Sequence, residues 1–183
     1  MTKKLIFHIG DHKTGSSAIQ DALLRQVFDV GGHKVLYPGS LNHNYLARHF
    51  TAFSDKKIIL RGDSDFPNLK QIQKSLSKEI FDTAIFSGEA FEFYNPEKFK
   101  FVLDEFFVDG AEDFNIICYV RPHISRTVSS YVEQVKTGIY SGNLSDFIQR
   151  TVKKRTFFYN ERLVRWRHVF GDKFSVFHMV RSE

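Results

Sequence analysis

The chain has few of the features that mark secreted or membrane proteins. Its 183 residues include a single cysteine, Cys118, so a disulfide framework is excluded and a reducing compartment is expected. No apolar run reaches the length of about 18 residues that a transmembrane helix needs. The apolar stretch after the N-terminal MTKK is only LIFHI, which is too short for the core of a signal peptide. These absences predict a soluble, cytoplasmic protein without membrane insertion.

Neither positive nor negative charge is concentrated in one segment of the sequence. The 26 lysines and arginines exceed the 21 acidic residues by five, and the longest basic run is KKR at residues 153–155. A modest positive balance suits an anionic ligand but does not require nucleic acid, so no nucleic-acid partner is expected. The oligomeric state is not indicated. The 20 phenylalanines predict an aromatic-rich core.

Short apolar runs alternate with segments of helical periodicity along the whole chain. The apolar runs predict strands at residues 4–9, 33–39, 82–91, 114–120 and 174–180, with a further edge piece at 56–60. Helices are predicted at residues 17–28, 42–50, 67–80, 96–106, 124–135, 143–152 and 159–170. This alternation predicts one α/β domain over residues 1–183, with three layers α/β/α and a central parallel sheet of about five strands. Ligands of such folds bind at the carboxyl ends of the strands.

A loop rich in glycine and hydroxyl groups follows the first predicted strand. Its sequence, GDHKTGSS, runs from Gly10 to Ser17 and leads into a helix. The first turn of a helix offers unpaired backbone N–H groups and a positive dipole end to an anion. Gly10 and Gly15 let the backbone curl around that anion, and Lys13 adds a full positive charge. The arrangement predicts a phosphate site in a P-loop NTPase-like fold.

The order of residues in this loop differs from that of ATP- and GTP-binding loops. In G-x-x-x-x-G-K-[ST] the lysine follows the second glycine and the hydroxyl holds Mg²⁺, whereas here Lys13 precedes Gly15. The third strand also runs into Ser87, Gly88 and Glu89 instead of ending at a Walker-B aspartate. Mg²⁺-dependent ATP chemistry is therefore not favoured, and a P-loop kinase-like phosphotransferase is the alternative function.

Two motifs resemble those of the PAPS-dependent sulfotransferases, where PAPS is 3′-phosphoadenosine-5′-phosphosulfate. HKTGSSAIQ looks like their 5′-phosphosulfate loop, and CYVRPHISRTVSSYVEQ, residues 118–134, resembles their 3′-phosphate site. Arg121 and Ser129 match the arginine and serine that hold the 3′-phosphate. A third segment, RLVRWRHVFGDKFSVFHMV, is similar to the helix, Phe-Gly turn and strand found late in many bacterial carbohydrate sulfotransferases.

The resemblance implies transfer of a sulfuryl group from PAPS to a hydroxyl or amine of an acceptor, with PAP as the product and no metal. Thr14, Gly15, Ser16 and Ser17 would hold the 5′-phosphate, and Lys13 would neutralise charge that grows on the leaving phosphate. The acceptor would be a small molecule or a glycan, and the subgroup that the chain resembles suggests a carbohydrate.

A base should take the proton of the acceptor, and members of the family use a glutamate or a histidine. Glu89 in FSGEAF and His43 in SLNHNYLA each resemble such a residue, and His12 in the loop is a third candidate. His8 alternates within the first strand and is expected to be a packed core histidine. The eight histidines have no paired spacing that predicts a metal site.

The end of the chain leaves a further alternative open. The sequence stops at MVRSE, directly after a predicted strand, whereas related enzymes usually continue with a segment that covers the nucleotide. Either the domain is truncated at its C-terminus, or the protein is a minimal or inactive member of the family. A non-catalytic module that binds PAP or PAPS is therefore the second alternative to an active enzyme.

Overall fold

A parallel β-sheet forms the centre of the protein. The computed structural model describes residues 3–26, 30–39, 41–46, 69–107, 113–155 and 157–179. The strands are β1 (Lys4–His8), β2 (Val35–Leu36), β3 (Thr83–Ser87), β4 (Asp113–Val120) and β5 (Phe174–His178). They lie in the order β2-β3-β1-β4-β5, and each neighbouring pair is parallel. The predicted α/β fold with a parallel sheet of five strands is confirmed.

The strand order has a switch point between β1 and β4. The chain leaves β1 toward β2 on one side of the sheet, and it leaves β4 toward β5 on the other. Adjacent strands whose connections diverge in this way mark the point where doubly wound sheets bind ligands. The register aligns the strand ends there, because His8 lies opposite both Ser87 of β3 and Ile117 of β4.

Helices and short turns connect the strands. The helices are α1 (Ser16–Arg25), α2 (Leu69–Lys78), α3 (Pro96–Phe106), α4 (His123–Lys136), α5 (Leu144–Lys153) and α6 (Tyr159–Phe170). Short 3₁₀ turns lie at Asn44–Leu46, Glu89–Phe93 and Gly171–Lys173. As predicted, α3 starts with proline, and the side chain of Asn95 accepts a hydrogen bond from the Lys98 N–H, which satisfies one free donor of the first turn. None of the described helices is long and apolar enough to cross a membrane.

The core between the sheet and the helices is aromatic, as the composition predicts. Phe7 of β1 stacks on Phe86 of β3 with ring centroids 5.2 Å apart, and Phe99 of α3 meets Phe7 edge-on. Trp166 of α6 is completely buried. Cys118 is a free, buried thiol, and burial raises its pKa to about 12, so it is chemically inert.

Several predicted boundaries differ from the observed ones. The second strand is only Val35–Leu36 instead of residues 33–39, because the sheet ladder there pairs just two residues with β3. The described part of the predicted helix 42–50 is a 3₁₀ turn, Asn44–Leu46. The predicted strand 82–91 ends at Ser87, and its second half forms the 3₁₀ turn Glu89–Phe93. The edge piece at 56–60 lies outside the described residues.

Candidate active site at the strand ends

The loop after β1 has the backbone form of an anion site. Lys13 and Gly15 both have left-handed backbones, with φ of 68° and 79°. This form costs a non-glycine residue about 1–2 kcal/mol, so Lys13 holds strain that the surrounding contacts must offset. Within the described part of the chain, the N–H groups of Gly15, Ser16 and Ser17 donate to no protein acceptor. The loop therefore offers three unpaired donors at the start of α1, where an anion binds.

Two cationic side chains from distant parts of the sequence meet at this loop. The Arg121 guanidinium, at the end of β4, donates a hydrogen bond of 3.1 Å from Nη1 to the carbonyl oxygen of Lys13. The same side chain donates from Nε to the Ser125 hydroxyl at 3.1 Å, and the Tyr159 hydroxyl donates to the Arg121 carbonyl at 2.8 Å. The Lys13 ammonium lies 3.2 Å from the Glu133 carboxylate of α4.

Ser129 lies on α4, eight residues after Arg121 and about two turns into the helix. The side chain is half-buried, and no hydrogen bond to its hydroxyl occurs within the described residues. Ser129 thus lies near the middle of α4 and has a hydroxyl to offer to a ligand.

The hydroxyl groups of the loop differ in what they contact. The Thr14 hydroxyl donates to the Asp11 carbonyl at 2.5 Å and is buried, so it closes the loop on itself. The buried Ser16 hydroxyl donates to the Glu89 carboxylate. Ser17 is exposed. Among the loop hydroxyls, Ser17 is accessible to a ligand, whereas Ser16 connects the loop to Glu89.

Glu89 stands next to the loop, at the first position of the 3₁₀ turn that follows β3. One carboxylate oxygen accepts the hydrogen bond from Ser16, and the other lies 3.6 Å from His12 Nε2. The side chain is 23% exposed. A carboxylate that touches the phosphate loop and still reaches solvent is suitably placed to take a proton from an incoming acceptor.

His43 has a different environment from Glu89. Its Nδ1 accepts from the Ser87 backbone N–H at 3.0 Å, and its Nε2 donates to the Pro38 carbonyl at 2.9 Å. The ring is fully buried, and burial lowers its pKa to about 4. Both nitrogens are therefore engaged with backbone, and the ring fixes the segment after β2 to the end of β3 instead of facing the loop.

His8 is the core histidine that its alternation in β1 predicts. It is buried, and its Nδ1 lies 2.8 Å from the Ser87 hydroxyl, while burial lowers its pKa to about 4, so the ring is neutral. Its Nε2 packs so closely on the loop that a Cβ atom on Gly10 would lie 2.5 Å from it. Gly10 is therefore required by close packing against His8.

Four charged residues form a buried ion cluster behind the loop, and the sequence analysis did not find it. Arg126 of α4 donates to Asp11 at 2.8 Å and to Glu92 at 3.3 Å. Arg162 of α6 donates to Glu92 at 2.6 Å and also to Asp11. Asp11, Glu92 and Arg126 are each at most 3% exposed. The cluster ties the loop to the 3₁₀ turn, α4 and α6. In the sequence these four residues lie far apart and share no motif, so no local signal indicates the cluster.

His12 joins this ion cluster from the loop side. Its Nδ1 lies 2.7 Å from a Glu92 carboxylate oxygen, and its ring is 5.4 Å from that of Phe93. Burial acts to raise the pKa of Glu92, but the bond with His12 and the charges of the arginines outweigh it and hold that pKa well below its usual range. Glu92 is thus a permanent carboxylate beside the loop.

A groove opens beside the ion cluster, between the segment after β3 and α6. Its volume is about 330 Å³. Its lining includes Glu92 and Arg162 of the cluster, and aromatic side chains cover much of the rest: Phe93, Tyr94, Phe158, Tyr159 and Trp166. Because Phe93 contacts His12, one end of the groove borders the loop.

Comparisons with known proteins identify the fold. No protein-family model matches the chain, and no curated protein matches its sequence. Among solved structures, the crystal structure of a sulfotransferase from Alicyclobacillus acidocaldarius superposes on 95% of this chain and 72% of that chain, with a TM-score of 0.62 and 15% sequence identity. The chain therefore has the α/β fold of a bacterial sulfotransferase.

Proposed function

We propose that the protein is a sulfotransferase that transfers a sulfuryl group from PAPS to a hydroxyl group of an acceptor. The contact between Arg121 and the Lys13 carbonyl carries this proposal. It joins the phosphosulfate-type loop to the arginine of the 3′-phosphate-type motif, although the two residues are 108 positions apart. A single ligand with a phosphate at each end of its ribose fits such a paired site, and ATP has no 3′-phosphate for Arg121.

The donor groups of the site match the acceptor oxygens that PAPS offers. The unpaired N–H groups of Gly15, Ser16 and Ser17 and the Lys13 ammonium would bind the 5′-phosphosulfate. The guanidinium of Arg121 forms charge-assisted hydrogen bonds with phosphate, and Ser129 adds one hydroxyl donor for the 3′-phosphate. Lys13 must exchange its contact with Glu133 for the ligand. That exchange costs little, because both side chains are exposed enough for solvent to screen the pair.

Transfer requires a base, charge stabilisation and alignment. Glu89 takes the proton from the acceptor hydroxyl, whose oxygen attacks sulfur in line with the leaving phosphate oxygen. Lys13 and the loop amides stabilise the charge that grows on that leaving oxygen, as in phosphoryl transfer. The hydrogen bond from Ser16 fixes Glu89 relative to the loop and therefore to the reacting atoms. His43 is not part of this catalytic set, because both its nitrogens bind backbone.

For the acceptor we propose the groove between the segment after β3 and α6. Its exposed arginines are paired with carboxylates, Arg155 with Glu161 and Arg165 with Glu97, so the rim presents hydrogen-bond donors and acceptors side by side. Hydroxyl groups both donate and accept, and five aromatic residues are part of the groove lining. This combination supports a ring compound with several hydroxyl groups, such as a carbohydrate.

Removal of an exposed aromatic ring tests the groove. Phe158→Ala should raise the acceptor KM by about 2- to 12-fold, because Phe158 is an exposed aromatic of the groove and an aromatic contact contributes roughly 0.5–1.5 kcal/mol, and PAP affinity should stay unchanged. Phe101→Ala is the matched control, because Phe101 is also exposed but lies on α3 outside the groove lining. Initial rates against an acceptor panel give both KM values. Equal KM values for the two variants would place the acceptor elsewhere.

A ligand titration separates the sulfotransferase from its alternatives. PAP, ADP and ATP are titrated by calorimetry with and without Mg²⁺. PAP should bind without Mg²⁺ and more tightly than ADP, whereas binding of ATP only with Mg²⁺ would favour the phosphotransferase. Radiolabelled PAPS with a panel of oligosaccharides and small alcohols then separates an enzyme from a non-catalytic PAP-binding module, because only the enzyme labels an acceptor.

Substitution of Arg121 is the sharpest test of the donor assignment. Arg121→Ala should weaken PAP binding by about 10- to 150-fold, since hydrogen bonds to charged groups contribute roughly 1.5–3 kcal/mol. Affinity for adenosine 5′-phosphate, which has no 3′-phosphate, should change far less. Arg150→Ala removes the same charge from an exposed site on α5 and should change neither affinity. Unchanged PAP binding in Arg121→Ala would remove the 3′-phosphate assignment.

A further inference from the structure

His12 faces two carboxylates, one through each ring nitrogen. Nδ1 lies 2.7 Å from Glu92 and Nε2 lies 3.6 Å from Glu89. An ionised carboxylate can only accept hydrogen bonds, so Nδ1 donates to Glu92. The 3.6 Å between Nε2 and Glu89 is the distance of an ion pair and is too long for a hydrogen bond, and this contact is attractive only when the ring is charged. The geometry therefore favours the imidazolium form. The ring is also accessible, because 44% of the side chain is exposed.

The charges around His12 also favour the imidazolium form of the ring. The carboxylates that face the ring or its ion cluster are Asp11 in the loop and Glu89 and Glu92 in the 3₁₀ turn, and the facing cations are Arg126 of α4 and Arg162 of α6. Both oxygens of Asp11 accept from the arginines. Burial and the neighbouring Glu92 raise the pKa of Asp11 to about 8, so the negative charges that act directly on the ring are those of Glu92 and Glu89. A protonated His12 lies between these two carboxylates, with one ring nitrogen toward each.

The electrostatics of the site keep that proton in place. Burial acts to lower the pKa of His12, and the positive charge of Arg126 adds to that effect. The hydrogen bond with Glu92 and the negative charges of Glu92 and Glu89 outweigh both, so the pKa is raised from its ordinary value of 6.5. The imidazolium therefore persists to a higher pH than that of an ordinary histidine, and it is lost as the pH rises through the raised pKa.

We propose that His12 is a donor-binding residue whose imidazolium contacts the 5′-phosphosulfate group and makes donor binding depend on a proton. The proposal rests on the proposed function of the same loop. Nε2–H exchanges Glu89 for an oxygen of the ligand, while Nδ1–H stays on Glu92. The exchange has a second consequence, because it releases Glu89 from its cationic neighbour and frees that carboxylate to accept the proton of the acceptor.

The test is the pH dependence of PAP binding in the wild type and in His12→Gln. Calorimetric titrations run from about pH 7 to 9.5, where the ligand phosphates, with a second pKa of about 6, stay fully ionised. Wild-type affinity should fall as the pH rises, by at most about tenfold per unit for one linked proton. His12→Gln should bind PAP more weakly at pH 7 and with a flatter profile. Glutamine keeps a side-chain donor toward Glu92, and a thermal melt confirms that the variant is folded.

A second ligand shows which phosphate group of PAP His12 contacts. Adenosine 3′-phosphate has no 5′-phosphate, so its affinity should depend on Arg121 but not on His12 or on pH in this range. Parallel pH profiles for PAP in the wild type and His12→Gln would overturn the proposal, as would equal affinities at pH 7. The donor assignment itself is judged separately by Arg121→Ala. If that variant loses PAP while His12→Gln keeps it, only the role of His12 fails, and if the wild type binds no PAP, both proposals fail.

Discussion

Replacement of Glu89 by glutamine should lower kcat for sulfuryl transfer by about 10²- to 10⁴-fold, the usual contribution of a general base. Glutamine retains an oxygen that can accept the hydrogen bond from Ser16, so the loop should keep its form and PAP affinity should remain within about twofold, which corresponds to roughly 0.4 kcal/mol. Single-turnover rates with PAPS measure the chemical step, and calorimetry with PAP measures binding. A fall in kcat without a fall in affinity identifies a group that acts on the reaction itself.

His43→Gln is the comparison that makes this result specific. His43 bonds the backbone of Ser87 and Pro38 from inside the core, so its loss should lower the melting temperature and reduce kcat only through altered structure. Both measurements should be made at the same pH, below the raised pKa of His12 in the wild type. If Glu89→Gln retains full single-turnover activity, the proton of the acceptor goes to another group and the proposed mechanism is incorrect.

The fold could be predicted because its signals are local. Each strand of a sheet covered on both faces is a short continuous apolar run, and β1, β3, β4 and β5 all coincide with such runs. The start of α3 was also predictable, because Asn95 and Pro96 supply the cap and the first position within adjacent residues. β2 was predicted too long because the ladder with β3 pairs only Val35 and Leu36 among the described residues, and pairing is not visible in a single segment.

The loop residues proposed to bind the sulfuryl donor could be predicted because they are neighbours in the sequence. The ion cluster that holds the loop in place could not be predicted. Glycines, a lysine and hydroxyls in one short loop have a direct physical meaning at a helix start. The ion cluster, in contrast, joins Asp11, Glu92, Arg126 and Arg162 from four separate elements. None of these residues is close to another in sequence, so only the folded chain shows that they are partners. The same limit explains why His43 and Glu89 were indistinguishable as candidate bases before their contacts were known.

The ion cluster connects stability with function at this site. Asp11 and His12 are consecutive loop residues, so the arginines that neutralise Asp11 also fix the backbone on which His12 and Lys13 are carried. Glu92 holds Arg126, Arg162 and His12 at once. The strained backbone of Lys13 is retained because these contacts determine the position of the loop. A change in the cluster should therefore affect both the free energy of unfolding and the affinity for an anion.

Arg126→Met should have the largest effect on stability, a loss of about 3–5 kcal/mol in the free energy of unfolding, because it leaves buried carboxylates without half of their counter-charge. Methionine preserves much of the apolar volume beside the Phe157 ring, which lies 4.4 Å from the guanidinium. Urea unfolding of the wild type and the variant measures the difference. Arg165→Met is the matched control, since its pair with Glu97 is exposed and should contribute at most about 1 kcal/mol.

A double variant distinguishes lost charge from lost packing at Arg126. If the uncompensated charge of Asp11 causes the instability, Asp11→Asn combined with Arg126→Met should be more stable than Arg126→Met alone, with a coupling energy of about 0.5–3 kcal/mol. If the lost packing of the guanidinium is responsible, the two losses should simply add. Equal stability of Arg126→Met and Arg165→Met would contradict the cluster itself. The cluster fixes the position of the loop that carries His12 and Lys13. If asparagine restores that position, PAP affinity should recover together with stability in the double variant.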